Sequence, residues 1–232
     1  MALPKLDTPL YQVTLPVSKL DVTFRPFLVK EEKIMLVGKE AGPKQQVIAM
    51  QQVLESTIQK PKDLDVGDLS MPDIEYLFLK LRARSVQNIV ELKYRDKEDK
   101  QVYDFEVDLD TIEPSFNPEH EHQIQLNDDL GMELRDPTLN MMTKIDIEDL
   151  EDASNVFKLI SACTVKVWDK DEVYDEFTDE EMEEFLGQMD AATFTKLKTF
   201  FETAPKLKHE LNYVNKEGND RVIKLEGLSD FF

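Results

Sequence analysis

Nucleophilic and metal-binding chemistry rests on few side chains in this sequence, which contains one cysteine and three histidines. Cys163 is the candidate thiol and His209 the candidate base, because a base can activate a thiol as a nucleophile. Cys163 lies in an apolar stretch, which favours a buried and inert thiol. His120 and His122, with Glu121 between them, offer two imidazoles and a carboxylate to a metal. No further histidine is near and prolines flank this polar segment, so we expect a surface loop without a metal.

The motifs of phosphate-binding and hydrolytic enzymes are absent from the sequence. It has no G-x-S-x-G, no G-x-G-x-x-G and no P-loop, and only 7 of its 232 residues are glycine. A calcium-binding loop that starts at Asp169 fails, because Tyr174 stands where such a loop requires glycine. Two predicted hairpins have the outline of zinc-ribbon arms but lack their Cys-x-x-Cys pairs. The sequence therefore predicts a protein that is not an enzyme and that uses no metal or other cofactor.

The net charge of −20 is concentrated in the middle of the chain. Residues 96–190 hold 7 basic and 30 acidic side chains, whereas residues 1–95 hold 14 and 12 and residues 191–232 hold 7 and 6. Such a segment repels nucleic-acid phosphates and attracts a basic partner or a divalent cation. The alternative is that these acids are solvated faces that only provide solubility. The candidate acidic-surface residues are Asp104, Glu106, Asp108, Asp146, Glu148, Asp149, Glu151 and Asp152.

Composition limits the class of protein further. Apolar residues make up 41 % of the chain, which is enough to form a core. No apolar stretch approaches the ~20 residues that a membrane-spanning helix needs, so we expect no membrane span. The first residues lack a secretory signal pattern, and a single cysteine is typical of proteins in a reducing cytoplasm.

The elements that would position these side chains begin with strands and helices. Leu10–Leu15 and Val22–Phe27 predict two short strands, as a hairpin or as two edge strands, and Pro26 favours a sheet edge. Apolar spacing and Gly/Pro punctuation then predict three packed helices before residue 85. A face of Ile74, Leu77, Phe78 and Leu81 is expected to be the buried side of the third helix.

The spacing of the apolar residues then changes, and the rest of the chain is predicted to mix hairpins with helices. Alternating apolar residues predict an acidic hairpin over 89–109, with 113–119 as a loop. Further strands are expected at 124–126, 132–134, 165–168 and 173–174, helices over 140–162, from Asp179 and over 193–203, and a last hairpin over 207–225. Thr178 and Glu181 form a capping box for the helix from Asp179. The pattern predicts an α+β fold in three segments: an N-terminal helical cluster (1–88), acidic antiparallel β-hairpins (89–138), and a C-terminal helical hairpin with a terminal β-hairpin (139–232).

Several stretches of the chain resemble the T4-type bacteriophage baseplate protein family. They are Tyr11-Gln-Val-Thr-Leu-Pro16, Phe24-Arg-Pro-Phe-Leu-Val-Lys-Glu-Glu-Lys33, Leu79-Lys-Leu-Arg-Ala-Arg-Ser-Val86 and Ile223-Lys-Leu-Glu-Gly-Leu-Ser-Asp-Phe-Phe232. The resemblance implies a central baseplate hub subunit or a hub-assembly chaperone of a contractile-tailed phage, and it specifies no reaction. It also implies other hub or tail proteins as partners and a place in the virion tail baseplate or, during assembly, in the host bacterial cytoplasm. Homo-oligomerisation stays open.

Aromatic residues and arginine carry much of the energy of protein interfaces, and two segments offer them. The candidate interface residues are Phe24, Arg25, Phe27, Leu228, Phe231 and Phe232. The alternative is that Phe24, Phe27 and Phe231 fill the protein's own core. A second hypothesis for the function is an acidic inhibitor of a DNA-binding enzyme, which mimics nucleic acid and requires one continuous acidic face.

Overall fold

The computed structural model describes residues 7–145 and 153–227. Its helices are α1 (Val29–Glu40), α2 (Pro43–Thr57), α3 (Met71–Ser85), α4 (Leu139–Lys144), α5 (Ala153–Cys163), α6 (Asp179–Gly187) and α7 (Ala191–Thr203). Its strands are β1 (Tyr11–Thr14), β2 (Asp21–Phe24), β3 (Ile58–Lys60), β4 (Ile89–Arg95), β5 (Val102–Asp108), β6 (Pro114–Ser115), β7 (Gln123–Gln125), β8 (Gly131–Leu134), β9 (Thr164–Trp168), β10 (Val173–Tyr174), β11 (Lys206–Val214) and β12 (Asp220–Glu226). These strands form small sheets in the orders β1-β2-β3, β4-β5, β10-β9-β8-β7 and β12-β11-β6. All their pairings are antiparallel, which confirms the α+β class.

The first sheet corrects the prediction made from Pro26. β2 is the central strand, with β1 on one side and β3 on the other, so it does not lie at an edge. β2 ends at Phe24, and Pro26 lies beyond the paired residues. The N–H that proline lacks is therefore not needed for a sheet hydrogen bond. Arg25 continues the contact by donating its backbone N–H to the carbonyl of Thr57 at 3.0 Å.

Three helices pack in the N-terminal part of the chain, as predicted, and the third ends at Ser85. The expected face of α3 is buried, since Ile74, Leu77 and Leu81 are fully enclosed and Phe78 is 3 % exposed. α1 and α2 approach closely at Gly38, where an added Cβ would lie only 2.5 Å from the Cβ of Ala49. The core that these helices share with the first sheet includes Leu15, Val22, Phe24, Met50, Val53, Leu54, Val66 and Leu139.

The two long hairpins, β4–β5 and β11–β12, form as predicted and contact each other. The ring of Tyr213 on β11 lies 4.7 Å from the ring of Tyr103 and 5.5 Å from that of Phe105, between centroids. β11 also pairs with β6, where Leu207 is opposite Pro114. The segment of β6 was expected to be a loop. A two-residue strand has no measurable period, and its partner lies about ninety residues further along the chain.

The sheet β10-β9-β8-β7 packs against α5, α6 and α7 around a separate core. α6 begins at the predicted capping box. Thr178 Oγ1 accepts from the backbone N–H of Glu181 at 3.2 Å, and the Glu181 carboxylate accepts from that of Thr178 at 2.8 Å. β8 and β9 pair across the boundary expected at residue 138. The division into 1–88, 89–138 and 139–232 stays a prediction.

The single helix predicted over 140–162 is interrupted. α4 ends at Lys144, and Ile145 has an extended backbone with a ψ of 148°. Leaving the helix lets Ile145 pack with Leu159 and Cys163 in a small cluster of buried side chains. α5 begins at Ala153, and residues 146–152 lie outside the described part of the chain. Among the described residues, no helix is long and apolar enough to cross a membrane.

Candidate interaction surfaces

The N-terminal interface candidates lie mostly inside the protein. Phe24 is 2 % exposed and belongs to the core, and Phe27 is half-buried against the same core. The Arg25 side chain is 13 % exposed and points to the Glu31 carboxylate, with Nη2 2.9 Å from Oε1. For Phe24 the placement matches the alternative in which it fills the core. The C-terminal candidates Leu228, Phe231 and Phe232 lie outside the described residues.

The buried Glu31 carboxylate holds the start of α1 in place. Its Oε2 accepts the backbone N–H of Leu28 at 2.7 Å, while its Oε1 accepts from Arg25 and lies 3.2 Å from Lys30 Nζ. Burial by itself would raise the pKa of Glu31, but these charge-assisted hydrogen bonds outweigh it and lower the pKa to about 2. Arg25 therefore forms its ion pair within the protein, which leaves fewer of its guanidinium N–H groups for a partner protein.

A different apolar surface is exposed on α1. Val29 is 80 % exposed, and Leu36 and Val37, two turns later on α1, are each 59 % exposed. We call these three residues the α1 apolar face. The sequence carries a signal for it, because the apolar run 34–37 is too long for one side of a helix. Ile34 and Met35 pack on the core, so the other two residues of the run must point outward.

The acidic candidates that the structure describes have three different environments. Asp104 is paired with Lys93 at 3.5 Å, and both side chains are about three-quarters exposed. Glu106 lies opposite Glu91 on the same outer face of the β4–β5 hairpin. Asp108 serves the fold, because its Oδ1 accepts the backbone N–H of Asp110 at 3.0 Å. The other candidates, Asp146, Glu148, Asp149, Glu151 and Asp152, lie outside the described residues.

Acids at the tip of the β4–β5 hairpin connect it to the β11–β12 hairpin. Asp96 is 2 % exposed and accepts the Tyr213 hydroxyl at 2.5 Å, a hydrogen bond that lowers the pKa of this carboxyl. Asp99 accepts the backbone N–H of Lys216 at 3.0 Å. Glu98 forms an ion pair with Arg221. These carboxylates therefore stabilise the contact between two hairpins.

Further acids of the middle segment also have partners within the fold. Glu133 pairs with Lys166 at 3.0 Å, Asp129 with Lys170 at 2.6 Å, and Asp179 accepts the Ser161 hydroxyl at 2.8 Å. A nucleic-acid mimic needs its carboxylates free and in one array. Many of the described acids are instead engaged within the fold, in ion pairs, turns and helix caps.

The structure buries the candidate nucleophile but brings the candidate metal ligands together. Cys163 is fully buried, and burial raises the pKa of its thiol to about 12, which makes it a poor nucleophile. His120 and His122 do lie together, and the fold adds Asp136, so that one ligand atom from each residue lies within 4.8 Å of the others. Burial lowers the pKa of His120 despite the nearby Asp136. Sequence spacing alone could not find Asp136, because the β7–β8 hairpin brings it back to the histidines.

Comparison with known proteins identifies the family. No curated protein and no solved structure matches the chain. A family model described as T4 bacteriophage base plate protein matches residues 8–232, which is nearly the whole sequence. The match agrees with the resemblance of the N-terminal and C-terminal stretches. The chain therefore belongs to the T4 bacteriophage base plate protein family and is a baseplate component associated with the phage tail.

Proposed function

We propose that this baseplate protein is not an enzyme and acts by protein–protein recognition, as a hub subunit of the baseplate or as a chaperone of hub assembly. Its partners would be other hub or tail proteins, met in the host cytoplasm during assembly. Family membership supports a structural partner of phage origin. The buried Cys163, whose thiol pKa is about 12, supports a role without nucleophilic catalysis.

The observation that carries this proposal is the α1 apolar face. Val29, Leu36 and Val37 expose large apolar side chains to solvent on α1, whereas the buried positions of this helix are Glu31 and Gly38. Leu36 and Val37 are adjacent, and Val29 is seven residues before Leu36, which places it on the same side of the helix. Several exposed apolar side chains on one element mark surfaces for other proteins more often than an isolated one does. Lysines and glutamates on the same helix supply the polar rim that an interface core needs. We expect a partner from the baseplate to cover this face.

The test is a pull-down of the tagged protein from phage-infected cells, with matched variants. Val37→Glu puts a charge into the α1 apolar face. Val214→Glu is the control, because Val214 is 58 % exposed against 59 % for Val37 and lies on the β11–β12 hairpin. We expect wild type and Val214→Glu to recover baseplate proteins and Val37→Glu to lose them. Equal recovery by both variants would remove the α1 apolar face from the proposal.

Mass spectrometry of purified virions separates the two forms of the proposal. A hub subunit is recovered with hub proteins and is also present in virions at a fixed ratio to them. A chaperone is recovered with the same proteins during infection and is missing from virions. Recovery of a host DNA-binding enzyme without any tail protein would contradict both and favour the acidic inhibitor, which no specific contact among the described residues supports.

A further inference from the structure

Three residues from two segments of the chain converge on one point. His120 and His122 lie in the segment just before β7, and Asp136 follows β8, the next strand of the sheet. Their ligand atoms all lie within 4.8 Å of one another. The short β7–β8 hairpin produces this meeting, because it returns the chain so that Gln123 is opposite Glu133.

Hydrogen bonds leave the same nitrogen free on both histidines. His122 Nδ1 lies 2.9 Å from the carbonyl oxygen of Leu134, which can only accept, so Nδ1 carries the proton. His120 Nδ1 lies 3.1 Å from Thr203 Oγ1, and the Thr203 hydroxyl already donates to the Thr199 carbonyl at 2.8 Å. Oγ1 must therefore accept from His120. Each neutral imidazole is left with an Nε2 lone pair, the arrangement in which a histidine binds a metal.

The free nitrogen of His120 faces a carboxylate oxygen that also lacks a donor. His120 Nε2 and Asp136 Oδ1 are 3.5 Å apart, and the two side chains are only 7 % and 6 % exposed. Neither atom has a hydrogen-bond partner among the described residues. Two buried acceptors that face each other are costly unless a proton or a metal cation lies between them.

We propose that His120 Nε2, His122 Nε2 and Asp136 Oδ1 bind one divalent first-row transition-metal ion, with Zn²⁺ as the probe. Two imidazoles and a carboxylate are a ligand set for such ions rather than for Mg²⁺ or Ca²⁺, which prefer oxygen. Ligand atoms about 2.0–2.1 Å from a tetrahedral metal are roughly 3.3 Å from one another. The observed 3.5 Å between His120 and Asp136 is close to that spacing. His122, which is exposed, supplies the third ligand atom, within 4.8 Å of the other two.

The surroundings suit a cation on both sides of the site. Phe200 packs on the rings of His120 and His122, with centroid distances of 4.7 and 5.7 Å, and covers one side of the nearly buried His120 ring. On the other side His122 and Asp136 line a cavity of about 590 Å³ whose wall carries several more aspartates, including Asp65 and Asp68. Their negative charge raises the local concentration of cations. The cavity also gives the ion a path in and room for a water as its fourth ligand.

The bound ion would connect three parts of the fold. His120 is held by α7 through Thr203, His122 by the end of β8 through Leu134, and Asp136 leads towards α4. A ligand that binds only the folded protein raises its melting temperature. The site is therefore expected to stabilise the junction of the second sheet with its helices.

The test is calorimetric titration of the full-length, tag-free and chelator-treated protein with Zn²⁺, repeated for His122→Ala and His209→Ala. His122 is exposed, so its removal leaves the core intact, and His209 is the third histidine, on β11 and outside the site. We expect one ion per chain for wild type and His209→Ala, with an affinity about 100-fold or more weaker for His122→Ala. Zn²⁺ should raise the melting temperature of the first two proteins and not of the third.

Co²⁺ gives a second readout, because a four-coordinate site with imidazole ligands produces characteristic visible absorption. We expect this spectrum for wild type and His209→Ala, and its loss in His122→Ala and Asp136→Asn. Absence of Zn²⁺ binding to wild type would overturn the proposal and leave a proton shared by His120 and Asp136. Equal affinities of His122→Ala and His209→Ala would overturn it as well.

Discussion

Replacing Glu31 with glutamine is expected to destabilise the protein strongly at neutral pH and much less in acid. Glu31 is 1 % exposed and its carboxylate accepts from Arg25 Nη2 at 2.9 Å and from the backbone N–H of Leu28 at 2.7 Å. Glutamine keeps the shape but removes the charge, so the nearly buried Arg25 loses its counter-ion. Removal of one partner of a buried ion pair is among the most destabilising kinds of substitution.

The size of the effect follows from the pKa of Glu31, which is lowered from 4.5 to about 2 in the folded protein. Each tenfold change in acidity corresponds to about 1.4 kcal/mol, so the charged carboxylate contributes about 3 kcal/mol to the free energy of unfolding at pH 7. Because the folded pKa is the lower one, this contribution is complete above about pH 4.5 and is lost as the pH falls towards 2. At pH 3 it amounts to about 1.4 kcal/mol.

Urea unfolding of wild type and Glu31→Gln at pH 7 and pH 3 measures this difference, with Glu32→Gln as the control. Glu32 is the next residue on α1 and is exposed, so its substitution should change the free energy of unfolding by less than about 0.5 kcal/mol. We expect a loss of about 3 kcal/mol for Glu31→Gln at pH 7 and less than half of that at pH 3. An equal loss at both pH values, or a loss at pH 7 no larger than that of Glu32→Gln, would refute the reasoning.

Three further predictions concern the interior. Burial raises the pKa of Glu75 to about 7, so the folded state loses stability as the pH rises from 4.5 through 7. The free energy of unfolding of Glu75→Gln should therefore gain about 2.5 kcal/mol relative to wild type between pH 5 and pH 8 in urea unfolding, and a constant difference would contradict this. Gly131→Ala should lower the free energy of unfolding by about 1–3 kcal/mol, because the added Cβ would overlap the Trp168 ring. The overlap should also change the fluorescence of Trp168, the single tryptophan, and an unchanged spectrum would contradict it. Cys163 is fully buried, so a thiol reagent should modify it only on unfolding, and rapid labelling of the native protein would refute this.

Local patterns in the sequence were sufficient for most elements. The capping box of Thr178 and Glu181 determines where α6 begins, because both of its hydrogen bonds connect residues three apart. The alternation of apolar and charged residues predicts the β4–β5 hairpin, and the apolar spacing predicts the buried face of α3. Each of these signals is contained in a short stretch of chain.

The errors concern contacts that short stretches do not contain. β6 is two residues long and exists because β11 lies beside it, so its sequence carries no period. The position of β2 at the centre of its sheet depends on β3, more than thirty residues later. α4 ends at Lys144, and the extended Ile145 packs with Leu159 and Cys163, which lie more than ten residues later. In each case a partner that is distant in sequence decides the outcome.

The same division applies to the surfaces that matter for function. The sequence by itself determined the α+β class, the family and the excess of acid in the middle segment, because these depend on composition, period and local resemblance. Only the tertiary structure decided that Phe24 is core while Val29 is exposed, that Asp96 binds Tyr213 within the protein, and that Asp136 meets His120. Burial and ligand geometry are properties of chain segments brought together in space, and no spacing along one segment can specify them.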